Sequence, residues 1–223
     1  MGFVDDLIKQ LKQEKNDEQA LAMEAYMKQR FPFLGVKAPL RQQILKNLIS
    51  AYKTSLDRSS IIDISKRLYE QPEREFHYCA VELVSRFLKK KFLRKDISFI
   101  KYLIVTHSWW DTVDMVCKHH LGNYLKLYPN ETEAVIKSYS EVDHLWLNRS
   151  AILFQLEYKS ETDQNLLFNL CLKHKDSKEF FINKAIGWAL REYSKTAPEA
   201  VRKFVGQHNF APLSRKEALR LLS

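Results

Sequence analysis

Two tryptophans and two aspartates fall within one short stretch, Ser108-Trp109-Trp110-Asp111-Thr112-Val113-Asp114. On a helix, Trp110 and Asp114 stand at i and i+4 and share a face, which puts a large π surface beside a carboxylate. Trp109 cannot share that face and is assigned to the core, the default place for a tryptophan. An aromatic ring and a carboxylate together suit a cation or a developing cation, the ring through its quadrupole and the acid through its charge. The chain around them carries 36 Lys+Arg against 27 Asp+Glu, a formal net charge of +9. Such a balance favours a phosphate-rich partner, although a solvated lysine-rich surface gives the same count. An acid–indole pair in a chain that attracts polyanions points to a cation-like sugar intermediate on nucleic acid.

Three further residues could join this pair. Trp188 follows Gly187 inside a strongly helical segment. Glycine in a helix interior costs about 1 kcal/mol relative to alanine, a loss that is tolerated where a backbone or a ligand must come close. Lys184 lies four residues before Trp188, so cation and ring share a face. Arg149 opens an apolar helical stretch, and its planar fork suits either a phosphate or the carboxylate of Asp114. A core tryptophan beside a packing glycine, and an aspartate that caps a helix, are the structural readings of the same residues.

The elements that must position these groups are helices. With 5 glycines and 6 prolines in 223 residues, the chain is poor in the turn residues that strand-rich proteins need. Apolar stripes recur at helical spacing: Val4, Leu7, Ile8 and Leu11; Ile44, Leu45, Leu48 and Ile49 behind Pro39; Ile61, Ile64 and Leu68. After Pro72 the pattern predicts a helix from about 73 to 88, and then helices over roughly 94–104, 109–128, 131–139, 143–158, 161–173, 178–195, 197–207 and 213–222. An internal repeat is visible. Trp146-Leu147-Asn148-Arg149-Ser150-Ala151 aligns with Phe181-Ile182-Asn183-Lys184-Ala185-Ile186 at an offset of 35 residues, and the same offset brings Glu157-Tyr158 onto Glu192-Tyr193. Helix pairs at this period predict an all-α fold: a HEAT-like or armadillo-like α-solenoid of stacked helix pairs with a concave basic groove, over a single domain spanning 1–223. Arg149 and Lys184 are then two rungs of a basic ladder along the groove. A basic residue in register in two repeats is hard to assign to a core, because unpaired buried charge is costly.

Several classes are excluded or disfavoured. No apolar run is long enough to span a membrane, and the N-terminal stretch reads as an amphipathic helix with acids in it rather than a secretory signal. The expectation is a cytoplasmic protein. Cys79, Cys117 and Cys171 are scattered without a CxxC spacing, which favours buried thiols in a reducing compartment. His119-His120 is the one close histidine pair, and adjacent helical positions point apart, so no metal is expected. No Gly-rich phosphate loop and no GxSxG elbow occurs, and no cofactor is expected. Phe31-Pro32-Phe33-Leu34-Gly35-Val36 reads as an apolar connector.

Taken together, Ala25-Tyr26-Met27-Lys28 leading into FPFLGV, then SWWDTVD, WLNRSAILFQ and FFINKAIGWALREYSK, make a specific set. Over most of its length the chain resembles the AlkD-like DNA alkylation repair family of HEAT-like-repeat DNA glycosylases. The resemblance implies that Trp110, Asp114, Arg149 and Trp188 match the family's catalytic tryptophan, aspartate, arginine and second tryptophan. It implies hydrolysis of the N-glycosidic bond of cationic N7- and N3-alkylated purines in duplex DNA, by a monomer, with Lys184, Arg149 and Tyr26 on the DNA. It also implies contact with the lesion's backbone without enclosure of the base, so that bulky adducts are tolerated. Two other classes compete: a non-catalytic helical-repeat module that holds damaged or branched DNA, and a protein-interaction scaffold. The first has no need of a complete acid–indole–arginine set, and the second has no reason to align Arg149, Lys184, Trp110 and Asp114. Fold alone does not separate them.

Overall fold

A computed structural model describes residues 2–222, and all regular elements among them are helical. They form two compact units, one ending at Lys91 and one beginning at Phe92.

The first unit contains α1 (Phe3–Gln13), α2 (Asp17–Tyr26), α3 (Ala38–Ala51), α4 (Arg58–Tyr69) and α5 (Arg74–Leu88). The stripe of Val4, Leu7 and Leu11 is fully buried and packs α1 on α3 and α4. Pro39 lies in the first turn of α3, where a missing N–H costs nothing. The sequence pattern did not reveal α2. Its only buried residue is Ala20, so it lacks an apolar stripe, and it is held instead by Asn16, whose side chain accepts from the Gln19 N–H at 2.9 Å.

The FPFLGV connector is an ordered loop because its backbone is hydrogen-bonded by a buried acid. Phe33, Leu34 and Val36 are buried. Glu75, with no exposed surface, accepts from the N–H groups of Leu34, Gly35 and Val36 at 3.1, 2.9 and 3.1 Å. Burial raises the Glu75 carboxyl above its usual range, and the three N–H donors oppose that rise. Gly35 has φ +82°, and a Cβ there would lie 2.0 Å from the Asn16 carbonyl oxygen. Only glycine suits both the left-handed conformation and the close approach.

The second unit contains α6 (Ile97–Val105), α7 (Trp110–Met115), a π-helical stretch (Val116–Leu121), α8 (Gly122–Leu127), α9 (Thr132–Ser140), α10 (Leu145–Leu153), α11 (Gln164–His174), α12 (Phe180–Ser194), α13 (Pro198–Gln207) and α14 (Pro212–Leu219). The helix expected over 109–128 is therefore an unbroken helical run over 110–127 that widens to π geometry from Val116, a feature common at functional sites. The helix expected over 143–158 ends at Leu153, and a 3-10 turn follows at Lys159–Glu161. Ile152, Leu153, Ile182, Ile186, Leu190, Val201 and Val205 build the core of this unit, with α12 packed on α10, α11, α13 and α14. Cys79, Cys117 and Cys171 are free buried thiols, and burial raises all three above the usual thiol range, Cys79 to about 12.

The internal repeat is a repeat of hydrogen bonding as well as of packing. Asn148 donates to the Val142 carbonyl at 2.9 Å and Asn183 to the Ser177 carbonyl at 3.1 Å, each six residues upstream. Each asparagine thereby ties the loop before its helix to the helix itself. A second motif recurs on the same principle. Arg94 lies over the Tyr128 ring and pairs with Glu131; Lys126 lies over the Tyr158 ring and pairs with Glu161. Each tyrosine hydroxyl donates to a backbone carbonyl, that of Phe92 or of Gly122. Tyr193 breaks the series: Thr196 stands where the glutamate would be, and the Tyr193 hydroxyl donates to the Gln164 side-chain oxygen.

Candidate active site

The second unit carries a cleft of roughly 280 Å³ lined by Trp110, Asp114, Arg149, Phe180, Phe181, Lys184, Trp188, Arg191 and Glu217. Four of these were singled out from the sequence as catalytic, and all four meet here. Trp110, Asp114 and Trp188 are neither in the interior nor fully exposed.

Helix α7 starts at Trp110 because Trp109, in extended conformation, precedes it as the cap residue. The Trp109 ring packs edge-on against Trp146 and Phe181, with centroids 5.6 and 5.1 Å away. This aromatic group fixes the start of α7 against α10 and α12, so Trp110 and Asp114, one turn apart, both face the cleft.

Arg149 reaches Asp114 from α10. Its Nε donates to one carboxylate oxygen at 2.7 Å and its Nη2 to the other at 2.8 Å. The third nitrogen, Nη1, donates to the Phe181 carbonyl at 2.5 Å. Each of the three guanidinium nitrogens is thus engaged, and the residue is 4% exposed. Of the two roles open to Arg149 in the sequence, this geometry favours orienting Asp114 over an open phosphate clamp. Burial raises the Asp114 carboxyl above its usual value; the hydrogen bonds and charge of Arg149 pull it down, and nearby Asp111 adds a smaller upward push. A carboxylate that accepts two parallel guanidinium bonds still has a lone pair on each oxygen for water or substrate.

The other wall is α12. Lys184 and Trp188 lie one turn apart on it, as their spacing implies, and Arg191 lies one turn further. Lys184 donates to Glu217 of α14 at 2.9 Å, and Arg191 donates to the other oxygen of the same carboxylate. These two cations hold the Glu217 carboxyl below its usual value, with the Lys184 hydrogen bond the largest cause. Gly187 explains the approach of α14: a Cβ there would lie 2.5 Å from the Glu217 Cβ and 2.9 Å from the Ser214 carbonyl oxygen. The glycine that stood out in the sequence admits a neighbouring helix, not a ligand.

Tyr26, the remaining sequence candidate, ends α2 in the first unit and is 68% exposed. Arg191, Glu217, Phe180 and Phe181 were not singled out from the sequence. Arg191 carries a signal, being seven residues from Lys184 on the same helical face. Glu217 carries none, because its place depends on how α14 crosses α12. Among the described residues no group of three His, Cys, Asp or Glu side chains is arranged to hold a metal, and no helix is long and apolar enough to cross a membrane.

An all-helical unit with two acids, two indoles and three basic side chains in one cleft is an arrangement suited to a DNA-modifying enzyme. The chain belongs to the DNA alkylation repair enzyme family, whose model matches residues 7–222. It is also similar to a solved structure described as a predicted DNA alkylation repair enzyme from Enterococcus faecalis, with 33% identity over 94% of this chain and 97% of that one and a TM-score of 0.86. No curated protein matches it. Membership places the protein in the repair of alkylation damage, as an enzyme with DNA as its partner.

Proposed function

We propose that this cleft is the active site of a monofunctional DNA glycosylase that excises cationic N7- and N3-alkylated purines, such as 7-methylguanine and 3-methyladenine, from duplex DNA. The observation that carries the reading is the Asp114 carboxylate, held by Nε and Nη2 of Arg149 in a cleft it shares with Trp110 and Trp188.

A purine alkylated at N7 or N3 already bears positive charge. When its bond to the sugar C1′ breaks, the electron pair stays with the base, which leaves neutral. No strong general acid is then required. The sugar takes on oxocarbenium character, as in glycoside hydrolysis. Asp114 stabilises that charge and orients the attacking water, whose proton passes to the carboxylate or to solvent. The faces of Trp110 and Trp188 flank the sugar and attract its polarised C–H bonds and its developing charge. Arg149 keeps the carboxylate ionised and aimed. Lys184 meets a flanking phosphate, and Tyr26 is assigned to DNA contact on the first unit. The enzyme acts as a monomer in the cytoplasm, on nucleoid DNA, and needs no cofactor.

A module that only held DNA would have no use for a carboxylate oriented by an arginine beside two indoles. The test is chromatographic detection of 7-methylguanine released from methylated duplex. Asp114→Asn keeps the shape and removes the charge; it is expected to cut release by a factor of at least about 10² while duplex binding persists. Equal release by both proteins removes Asp114 from the reaction.

A further inference from the structure

Helix α12 presents Lys184, Gly187 and Arg191 on one face toward α14, and Glu217 sits over the glycine between the two cations. One carboxylate oxygen accepts from Lys184 and the other from Arg191. The acid side chain is 13% exposed, Arg191 21% and Lys184 39%. Two cations that each bind one oxygen of the same anion are how a backbone phosphate is bound. Here the anion belongs to the protein itself. Its placement also has a cost: α12 must carry a glycine in its interior to let Glu217 come so near.

Resting on the reading of the cleft as a surface for duplex DNA, we propose that Glu217 is an internal stand-in for a DNA backbone phosphate, which competes with DNA for Lys184 and Arg191 and so holds down affinity for undamaged duplex. A duplex phosphate entering the cleft must share or displace this carboxylate. Undamaged DNA offers little beyond phosphate, so it bears the competition in full. A damaged nucleotide adds contacts at Asp114 and the indoles, and it overcomes the same competition. Glu217 is thus a specificity-determining residue that touches no reacting atom, and Arg191 is a phosphate ligand in waiting.

Glu217→Gln removes the competing charge and keeps the size. The expected result is tighter binding to an undamaged duplex at low salt, on the order of tenfold, with the gain shrinking as salt screens it. In a Lys184→Gln/Arg191→Gln background the same change is expected to have no effect, because there are no cations left to release. An unchanged or weaker affinity for Glu217→Gln in a protein with an intact helical melt overturns the proposal and leaves the acid as a packing contact between α12 and α14. Arg191→Gln gives a second test that leaves Glu217 paired with Lys184: affinity for undamaged duplex should fall, and an affinity equal to wild type also overturns it. Binding is read without base release. A wild-type protein that holds no duplex at all sinks the reading of the cleft and this role together; one that binds, with an unchanged Gln variant, sinks the role of Glu217 alone.

Discussion

Asp114 and Glu217 are two partly buried acids with opposite electrostatics, and the difference follows from their partners. Asp114 is held by one guanidinium, and for it burial outweighs the pairing. Glu217 meets two cations, and pairing outweighs burial. The consequences for pH have opposite sign. A carboxyl whose folded pKa is raised contributes stability in acid, below its unfolded value, and loses it as pH rises through the folded value; ionised Asp114 therefore costs the fold stability at neutral pH. A carboxyl whose folded pKa is lowered, as for Glu217, contributes stability above its unfolded value and loses it as pH falls through the folded one. The proposed chemistry needs Asp114 ionised. Base release, corrected for spontaneous loss, should therefore fall on acidification at a pH above the ordinary aspartate value of about 3.9. A rate that is flat down to that value removes the requirement for an ionised Asp114.

At the scale of elements, two buried features set where the helices lie. Gly187 sits under Glu217 and Ser214, so Gly187→Ala must push α14 away from α12. Overpacking of this kind costs about 1–3 kcal/mol, and the thermal midpoint should drop by several degrees, roughly 2–4 °C per kcal/mol for a chain of this size. An unchanged midpoint means that α14 yields without strain. In the first unit, Glu75 gathers three N–H groups of the 31–36 loop. Glu75→Gln puts an NH₂ group where at least one donor expects an oxygen. Hydrogen bonds to a charged group contribute about 1.5–3 kcal/mol each, so denaturant midpoints should fall accordingly, and amide exchange in the loop should quicken. The asparagine repeat belongs to this scale too: Asn148 and Asn183 were visible as an alignment, and their shared bond to a carbonyl six residues upstream explains why that residue type recurs.

Over the whole molecule the excess of cations, +9, acts on approach and on non-specific affinity. DNA binding by such a chain releases counterions from the duplex, and its logarithm should fall linearly with log salt, with a slope of about −0.9 for each phosphate neutralised. Titration of binding from low to physiological salt measures that number. Retention that does not respond to salt contradicts an electrostatic interface.

The helical class, the turn-poor composition, the repeat and the pairing of Trp110 with Asp114 could be read from the residues alone, because each is a matter of spacing along one helix, and helical spacing is fixed by local geometry. Even the face shared by Lys184 and Trp188 is of that kind. What faces that face is not. Arg149 lies 35 residues from Asp114 and Glu217 lies 33 residues from Lys184, and each pair meets only because two helices cross at a particular depth and angle. The same holds for Gly187, whose anomaly was evident in sequence while its cause, the backbone of α14, was not. Periodicity says which side of a helix is apolar or charged; the choice of partner across the gap is made by packing between elements, and the tertiary structure alone decided it.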